Sequence, residues 1–411
     1  MRGASKSTCQ RDCILEAVFP NARNAALEPY KGCEWQMAAR LHKHSSPLSE
    51  NERLILEIVR RNRGIKRSSV APLTNLTQPS VHRIIDGLLE GGYLFLGETV
   101  IEGRGKPSKG LELNPSAVFS VGISINTDSA SLCVCDFRCG IVHSEILESL
   151  PVDRAKTLVL LKERAVAAMK RNAIPRSKLA GVGFAMSGFF VPPDGYFVTP
   201  EPLRDWSLAN IGGELAALFE APVWTENNAT TGAIGEAIVG AGLHHPTFGY
   251  LSFNYGFGAG VIIDGKPIFG SFGNAGEISR IYTLEEIEHR PALGELIKRL
   301  RTNGVSVQNV AELRQTFDPG WPGVEAWIRE IEPHLNRAID AMWAVFDPAA
   351  IVFGGELPRR LGEMLIELPS SDRNWRTGIA AAEPKRILSS VDGDPAVIGA
   401  ALIPFKELYF V

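Results

Sequence analysis

The sequence predicts an α/β protein in which a small helical unit precedes a larger part of alternating strands and helices. Short apolar runs typical of buried strands, such as residues 119–126 and 221–224, recur through the larger part. Segments with apolar residues at helical spacing, such as residues 151–172, lie between them. Between residues 49 and 92 the apolar residues recur only at helical spacing, so we expect the α/β part to begin later in the chain.

The composition indicates a globular protein of two or three domains. The chain has 411 residues, of which 45% are hydrophobic and 22% charged, and its formal net charge is −3. This charge argues against a protein that coats nucleic acid along its whole length, but it allows a local basic patch. The sequence has no run of about 18 apolar residues, no signal-peptide pattern and no framework of paired cysteines. We therefore expect no membrane span and a cytoplasmic location.

The N-terminal part of the chain divides into two segments. Residues 1–47 show only weak periodicity, and we interpret them as a mobile extension, with Met37 as an alternative start. Residues 48–114 have a much sharper pattern, and we expect them to form a separate domain.

Residues 48–114 have the pattern of three helices followed by two strands that flank a loop. Ser49 and Glu52 have the spacing of a capping box, which predicts the start of the first helix. A second short helix fits residues 68–74, and a third helix follows Thr77, whose side chain is suited to cap it. Three short helices with a tight turn before the third, followed by two strands, are typical of a winged helix-turn-helix.

The third helix of such a domain lies in the major groove of DNA. Residues 50–110 contain ten Lys and Arg against seven Asp and Glu, so this segment is basic although the whole chain is acidic. The alternative is a small protein-interaction domain with a solvated basic face. The residues predicted to contact DNA are Gln78, Ser80, His82 and Arg83 in the third helix, Lys66, Arg67 and Ser68 before it, and Arg104 and Lys106 in the wing.

The stretch from Trp224 to Glu236 places polar side chains where a buried strand gives way to a helix. Such a junction is a usual ligand-binding position in α/β sheets, although the polar residues can also serve only as a helix cap. Glu226, Asn227 and Asn228 here resemble the Glu-Asn-Asp-Ala-Asn signature of the ROK family, which groups sugar kinases with sugar-responsive repressors.

The resemblance extends from Ala117 to the end of the chain. It implies that residues 115–411 form a two-lobed actin-like ATPase (ROK) domain. The first lobe is expected to span about residues 115–240 together with a C-terminal helix at about 394–411, and the second lobe about residues 241–393.

The kinase signatures of the family are incomplete in this chain. The resemblance implies that the catalytic base of the kinases, an Asp, corresponds to Asn228, and a carboxamide cannot act as a base at neutral pH. The Asp-x-Gly-Gly-Thr loop that approaches ATP lacks its glycines around Asn126, and Asp128 adds a negative charge. A second glycine loop, residues 254–260, is retained better. We therefore predict no nucleotide cofactor and no enzymatic activity, with an ATP-dependent sugar kinase as the alternative.

The resemblance also implies which residues line a sugar site. The zinc-binding His of the family corresponds to Arg280, and no cysteine cluster follows it, so we predict no metal; Cys133 and Cys135 are interpreted as ordinary strand residues. Arg280 adds a cation, which suggests an acidic or phosphorylated sugar, unless it only pairs with Glu277 or Glu285. The predicted ligand-binding residues are Gly188, Asn227, Asn228, Glu277 and Arg280.

These expectations together describe a sugar-responsive transcription regulator, a repressor, that binds operator DNA. Sugar binding would change the closure of the lobes and hence the spacing of paired DNA-binding heads in a homodimer or homotetramer. A third alternative is a DNA-binding protein without a ligand, whose ROK part only dimerises.

Overall fold

A computed structural model describes residues 44–100, 108–147, 149–191, 196–370, 378, 381–391 and 393–411. Two parts of the chain are apparent in it: three helices with a small sheet near the N-terminus, and two larger sheets that follow. None of the helices in these ranges is long and apolar enough to cross a bilayer. The predicted extension of residues 1–47 lies outside the described residues, apart from its last four positions.

The N-terminal part contains three helices and a three-stranded sheet. Its buried apolar side chains include one face of the first and third helices, with Ile55, Val59, Val81 and Ile85 among them. The elements in chain order are α1 (Glu50–Arg61), β1 (Ile65–Lys66), α2 (Arg67–Val70) with a 3₁₀ turn (Ala71–Leu73), α3 (Gln78–Glu90), β2 (Leu94–Val100) and β3 (Ser108–Leu113). Both β1 and β2 pair antiparallel with β3, which lies in the middle of the sheet.

The N-terminal cap of α1 agrees with the sequence prediction, whereas that of α3 does not. The capping box is confirmed, because the backbone N–H of Ser49 donates to the Glu52 carboxylate and the Ser49 hydroxyl accepts from the Glu52 N–H. Thr77 precedes α3 as expected, but its side chain makes no cap hydrogen bond to the helix. Its hydroxyl instead lies 2.9 Å from that of Ser80, so the predicted side-chain cap is wrong.

The first large sheet has the strand order β10-β7-β4-β5-β6. Three neighbouring strands run antiparallel, and β7 and β10 continue the sheet parallel to β4. We call this sheet and its helices the first lobe. Its elements are β4 (Phe119–Ile125), β5 (Ala130–Asp136), β6 (Ile141–Ile146), α4 (Arg154–Arg171), β7 (Leu179–Met186), β8 (Phe189–Val191), β9 (Tyr196–Val198), α5 (Ile211–Phe219), β10 (Val223–Asn227) and α6 (Asn228–Val239).

The second large sheet has the strand order β13-β12-β11-β14-β15. As in the first sheet, three neighbouring strands (β11, β12 and β13) pair antiparallel, and two further strands (β14 and β15) continue the sheet parallel to the central strand. We call it and its helices the second lobe. Its elements are β11 (Phe248–Phe253), β12 (Phe257–Ile263), β13 (Lys266–Pro267), α7 (Leu293–Thr302), α8 (Val310–Thr316), α9 (Val324–Phe346), β14 (Ala350–Gly355), α10 (Arg359–Ile366) and β15 (Lys385–Leu388). Helix α9 stays continuous through Pro333.

The last helix, α11 (Pro395–Leu408), returns to the first lobe and packs on α6 and on strands β4 and β7. Small residues allow this close approach. A Cβ added to Gly399 would lie only 1.9 Å from the Thr231 carbonyl oxygen, so a larger residue there would push the two helices apart. The opposite face of the first sheet is covered by α4 and α5, and Trp206 is fully buried in that layer, where its Nε1–H donates to the Pro151 carbonyl. The structure thus assigns Trp206 to the core.

Candidate functional site

A cavity of about 540 Å³ lies between the two lobes. Its first-lobe wall is the C-terminal ends of the parallel strands β7 and β10, where ligands of α/β sheets usually bind. Its second-lobe wall is the β11–β12 turn and the segment around Glu277. We call this cavity the cleft. Four of the five predicted ligand-binding residues line it: Gly188, Asn227, Asn228 and Glu277.

Asn227 ends β10 and caps α6. Its Oδ1 accepts hydrogen bonds from the backbone N–H groups of Ala229 (2.8 Å) and Thr230 (3.5 Å), as expected of an Asn at a helix N-terminus. Its Nδ2 donates to the Gly188 carbonyl at 2.5 Å and lies 3.5 Å from Oε1 of Glu277. The cap alternative raised from the sequence is therefore part of the structure, and the same side chain also contacts the opposite wall of the cleft.

Gly188 has a backbone conformation that other residues rarely adopt. Its φ is +141°, and an added Cβ would lie 2.4 Å from the Val198 carbonyl oxygen. The absence of a side chain lets the chain turn sharply after β7 and brings the Gly188 carbonyl to Asn227. The turn is thus specified by glycine at this position.

Asn228 is buried, with 4% of its surface exposed. Its Nδ2 lies within hydrogen-bond distance of three acceptors: Oδ1 of Asn126 (2.6 Å), the Ile125 carbonyl (3.1 Å) and the Ser187 hydroxyl (3.1 Å). Its Oδ1, in contrast, accepts no hydrogen bond from any described residue. A buried polar atom without a partner is costly, so Oδ1 is the atom through which Asn228 is free to accept a hydrogen bond from a ligand.

Glu277 lies on the second-lobe wall, and its burial raises the pKa of its carboxyl group, while the charge of Arg280 opposes that shift. Arg280 itself is exposed and does not line the cleft. Its guanidinium lies 5.5 Å from the centre of the Phe189 ring, which does line it. The predicted cation therefore lies at the rim and acts on Glu277 electrostatically.

The cation that lines the cleft is Arg290. Its Nε is buried and finds no hydrogen-bond partner among the described residues. Sequence reasoning missed Arg290, because it follows Glu277 by 13 positions without a motif of its own and reaches the cleft only through the fold of the intervening 3₁₀ segments.

Comparison with known proteins agrees with this architecture. The sequence profile described as "ROK family" matches residues 120–406, which is more than half of the chain. The chain belongs to the ROK family. Among curated relatives, the Xylose repressor of Caldicellulosiruptor bescii is 25% identical over 378 residues, covering 85% of this chain and 93% of the relative.

Solved ROK structures have the same fold. A ROK family transcriptional regulator described as a homologue of the E. coli MLC protein superposes with a TM-score of 0.59 at 17% identity, covering 87% of this chain and 96% of its own. A ROK family glucokinase from Streptomyces griseus, solved with glucose and AMPPNP, superposes with a TM-score of 0.55 at 19% identity, covering 69% of this chain and 98% of the kinase. At such identities the likeness shows the α/β actin-like fold alone.

Buried acidic side chains surround the β4–β5 turn, which resembles the first ATP loop of the ROK kinases. In the β4–β5 turn, the Asp128 carboxylate accepts a 2.8 Å hydrogen bond from the N–H of Val310 at the start of α8, and burial raises its pKa. Glu356 and Asp394 are also buried, and burial raises the pKa of both. The mutual repulsion of these carboxylates adds to the shift of Glu356.

The second glycine loop is also held from within. Asn254 replaces its first glycine, and its Oδ1 accepts a 2.9 Å hydrogen bond from the N–H of Glu356. Its Nδ2 donates to the Ser252 hydroxyl at 3.2 Å. The Asn254 side chain thus ties the β11–β12 turn to the turn after β14.

The residues predicted to contact DNA have different environments. Gln78, Arg83 and Ser68 are exposed, whereas Ser80 and Lys66 are half-buried. Arg104 and Lys106, in the predicted wing, lie outside the described residues.

Two of these residues are engaged within the N-terminal part. Arg67 donates to the His82 carbonyl at 2.7 Å and forms an ion pair with Asp86, so it fastens α2 to α3. His82 is half-buried, and its Nε2 is buried without a partner in the described part of the chain.

No metal-binding group stands out in the described part of the chain: no three His, Cys, Asp or Glu side chains there are arranged to hold an ion. Cys133 and Cys135 are fully buried side by side on β5, with their sulfurs 3.5 Å apart. Arg280, which the sequence resemblance matched to a zinc-binding His of the ROK family, is exposed at the rim of the cleft.

Proposed function

We propose that the protein is a sugar-responsive DNA-binding transcription regulator, a repressor, whose ROK part binds a sugar without phosphorylating it. The observation that carries the proposal is Asn228. By the resemblance it corresponds to the kinase base but carries a carboxamide, and its Oδ1 is an acceptor without a partner among the described residues. Similarity to a relative named Xylose repressor over most of both chains supports the same conclusion.

The N-terminal part is proposed to be a winged helix-turn-helix that includes α2, α3 and the β2–β3 pair. In that arrangement α3 enters the major groove. Gln78 and Arg83, which are exposed on α3, are suited to read adenine and guanine edges. Ser68, exposed at the start of α2, is suited to contact a phosphate. Arg67 would act mainly by holding α2 against α3, since its guanidinium is already engaged there.

The cleft is proposed to bind a sugar. Its volume of about 540 Å³ lies in the range of small-molecule sites. Hydroxyl groups need both donors and acceptors, and Asn228 Oδ1 and the Glu277 carboxylate supply acceptors. Phe189 adds an apolar surface at the same wall.

Arg290 suggests that the sugar carries a negative charge. Its buried, unpartnered Nε is a donor without an acceptor in the described residues, and an anionic group in the cleft would satisfy it. This proposal replaces Arg280 with Arg290 as the cation that contacts an acidic or phosphorylated effector. Arg280 would instead tune the charge of Glu277.

Phosphoryl transfer is not expected, for two independent reasons. A carboxamide at position 228 cannot take the proton of a sugar hydroxyl. The resemblance also implies that the loop around Asn126 lacks the glycines that let the kinase backbone approach the phosphates of ATP.

Sugar binding is proposed to affect the N-terminal part by changing how far the two lobes close. Asn227 and Glu277 lie on opposite walls, so a ligand held by both favours a particular lobe separation. Helix α1 contacts the first lobe, since Arg53 donates to the Lys406 carbonyl at 3.1 Å. Arg61 on the same helix lies near Gly265 in the β12–β13 turn of the second lobe. A change in lobe closure would therefore act on α1 from both sides.

The proposal is tested by thermal shift with neutral and acidic sugars, followed by an assay for ADP release with the sugar that binds. Binding without turnover supports the regulator. ADP release at rates typical of enzymes, about 1 per second or faster, would instead support an ATP-dependent sugar kinase. No stabilisation by any sugar would leave a DNA-binding protein whose ROK part only dimerises.

A further inference from the structure

A second cavity, of about 360 Å³, lies where the N-terminal part meets the first lobe, outside the cleft. One wall is the end of helix α1, with Arg60 and Arg61, and Arg63 just after it, and the opposite wall includes Arg138 in the β5–β6 turn. Apolar side chains complete the lining: Val59, Leu113, Ile238, Val239 and Leu243. We call this cavity the arginine pocket.

The pocket has an excess of positive charge. Glu57 pairs with both Arg60 (2.7 Å) and Arg61 (2.6 Å), and Glu112 pairs with Arg138 (3.1 Å). Four arginines thus face two glutamates. Arg63 has no carboxylate partner among the described residues, although it lines the same space.

The four arginines differ in how many of their N–H groups are free to donate hydrogen bonds to a ligand. Arg60 is structural: it is 7% exposed, it holds Glu57, and it donates to the Ile238 carbonyl. Arg61 and Arg138 are 43% and 33% exposed, so each retains N–H groups that point away from its glutamate. Together with Arg63, they can surround an anion from both sides of the pocket.

We propose that the arginine pocket binds a small organic phosphate. Guanidinium groups bind phosphate oxygens through paired hydrogen bonds, and three of them around one space are well suited to a dianion. The apolar lining would contact the carbon skeleton of the ligand, and the volume fits a small metabolite rather than a macromolecule. The proposal does not depend on the proposed function, since it concerns residues outside the cleft.

The pocket joins elements that are far apart in sequence. Its lining combines α1 and β3 of the N-terminal part with the β5–β6 turn and the end of α6 in the first lobe. A ligand that bridges Arg63 and Arg138 would stiffen this joint.

Isothermal titration of the full-length protein with 3-phosphoglycerate tests the proposal, with glycerate and inorganic phosphate as comparison ligands. We expect saturable binding of 3-phosphoglycerate, weaker binding of phosphate and none of glycerate. Arg63→Gln should weaken binding about tenfold, the loss expected for one charge-assisted hydrogen bond. Arg63 is exposed and unpaired in the described residues, so this change should leave folding intact.

Arg329→Gln is the matched control, because Arg329 is an exposed helical arginine on α9, far from the pocket lining. Hydrogen exchange should locate the bound ligand by protection of residues 57–63, 138–139 and 238–243. Binding that Arg63→Gln leaves unchanged, protection at residues 187–188 and 277 instead, or no saturable binding in the millimolar range would each overturn the proposal.

Discussion

Nδ2 of Asn227, at the end of β10, lies 3.5 Å from Oε1 of Glu277 on the second lobe, so one side chain both caps a helix and reaches across the cleft. The helix cap is a local feature that any sequence of this type would need. The contact with Glu277 depends on how the two lobes are held. The two roles can be separated by mutation.

Asn227→Ala should lower the free energy of unfolding by about 1 kcal/mol, the usual cost of losing a helix cap, and should also abolish sugar binding. Asn210→Ala is the matched control, because Asn210 caps α5 at an exposed position and accepts from the Gly213 N–H. Urea denaturation should give similar losses for both variants. Calorimetry with the effector should show a loss for Asn227→Ala alone; equal sugar affinity in the two variants would refute the role of Asn227.

Asn228→Asp should destabilise the protein by at least about 2 kcal/mol at neutral pH, since it places a buried carboxylate against the Ile125 carbonyl and Oδ1 of Asn126. The folded-state pKa of the new carboxyl would lie above its unfolded value. The loss should therefore shrink as the pH falls towards that unfolded value. Asn172→Asp is the control, as Asn172 is exposed and donates to the Ala168 carbonyl. We also expect Asn228→Asp to remain without kinase activity, because the loop around Asn126 still lacks the glycines of the kinases.

Glu356 should make the protein more stable at mildly acidic than at neutral pH. Burial raises its pKa well above the ordinary 4.5, so the folded state takes up its proton first. Stability should increase as the pH falls from neutral towards 4.5, by up to about 1.4 kcal/mol per pH unit for one proton. Glu356→Gln should flatten this dependence between pH 7 and pH 5, measured by urea denaturation. Glu363→Gln, at an exposed position on α10, should not.

Below pH 4.5, Glu286 has the opposite effect on the stability of the protein. Hydrogen bonds from Arg337 lower the pKa of Glu286 to about 2, so its stabilising contribution is present above pH 4.5 and is lost as the pH falls towards 2. An increase in stability that persists unchanged in Glu356→Gln would contradict the assignment to Glu356.

Arg290→Gln should weaken the binding of an acidic sugar about tenfold, as expected for the loss of one charge-assisted hydrogen bond, and should affect a neutral sugar much less. Arg280→Gln should have a small effect on both, because Arg280 is exposed at the rim. Calorimetry with matched neutral and acidic sugars compares the two variants. If Arg280→Gln weakens binding of the acidic sugar more than Arg290→Gln does, the sequence-based prediction of Arg280 as the sugar-binding cation would be favoured instead.

The sequence predicted most of the fold because the relevant signals are local. The Ser49–Glu52 capping box and the buried strand β4 follow from short patterns. The return of α11 to the first lobe was implied by the resemblance to the ROK family, and the structure has it. Asn227 and Asn228 were recognised because they stand in a row at a strand end.

The rest depended on contacts that no short pattern contains. Arg290 reaches the cleft only through the path of the chain after Glu277, and the Asp128–Val310 hydrogen bond joins residues 182 positions apart. The arginine pocket likewise requires α1 to pack against the end of α6. Such pairings are set by tertiary packing, and a single sequence does not reveal them.

Fluorescence anisotropy with a duplex recovered by selection from genomic fragments tests the central claim most directly. The titration is repeated with each sugar that raises the melting temperature. We predict salt-dependent duplex binding whose affinity changes with such a sugar, and the loss of that response in Asn227→Ala. A protein that binds no duplex, or whose duplex affinity no sugar alters while it releases ADP from ATP and sugar, would contradict the account.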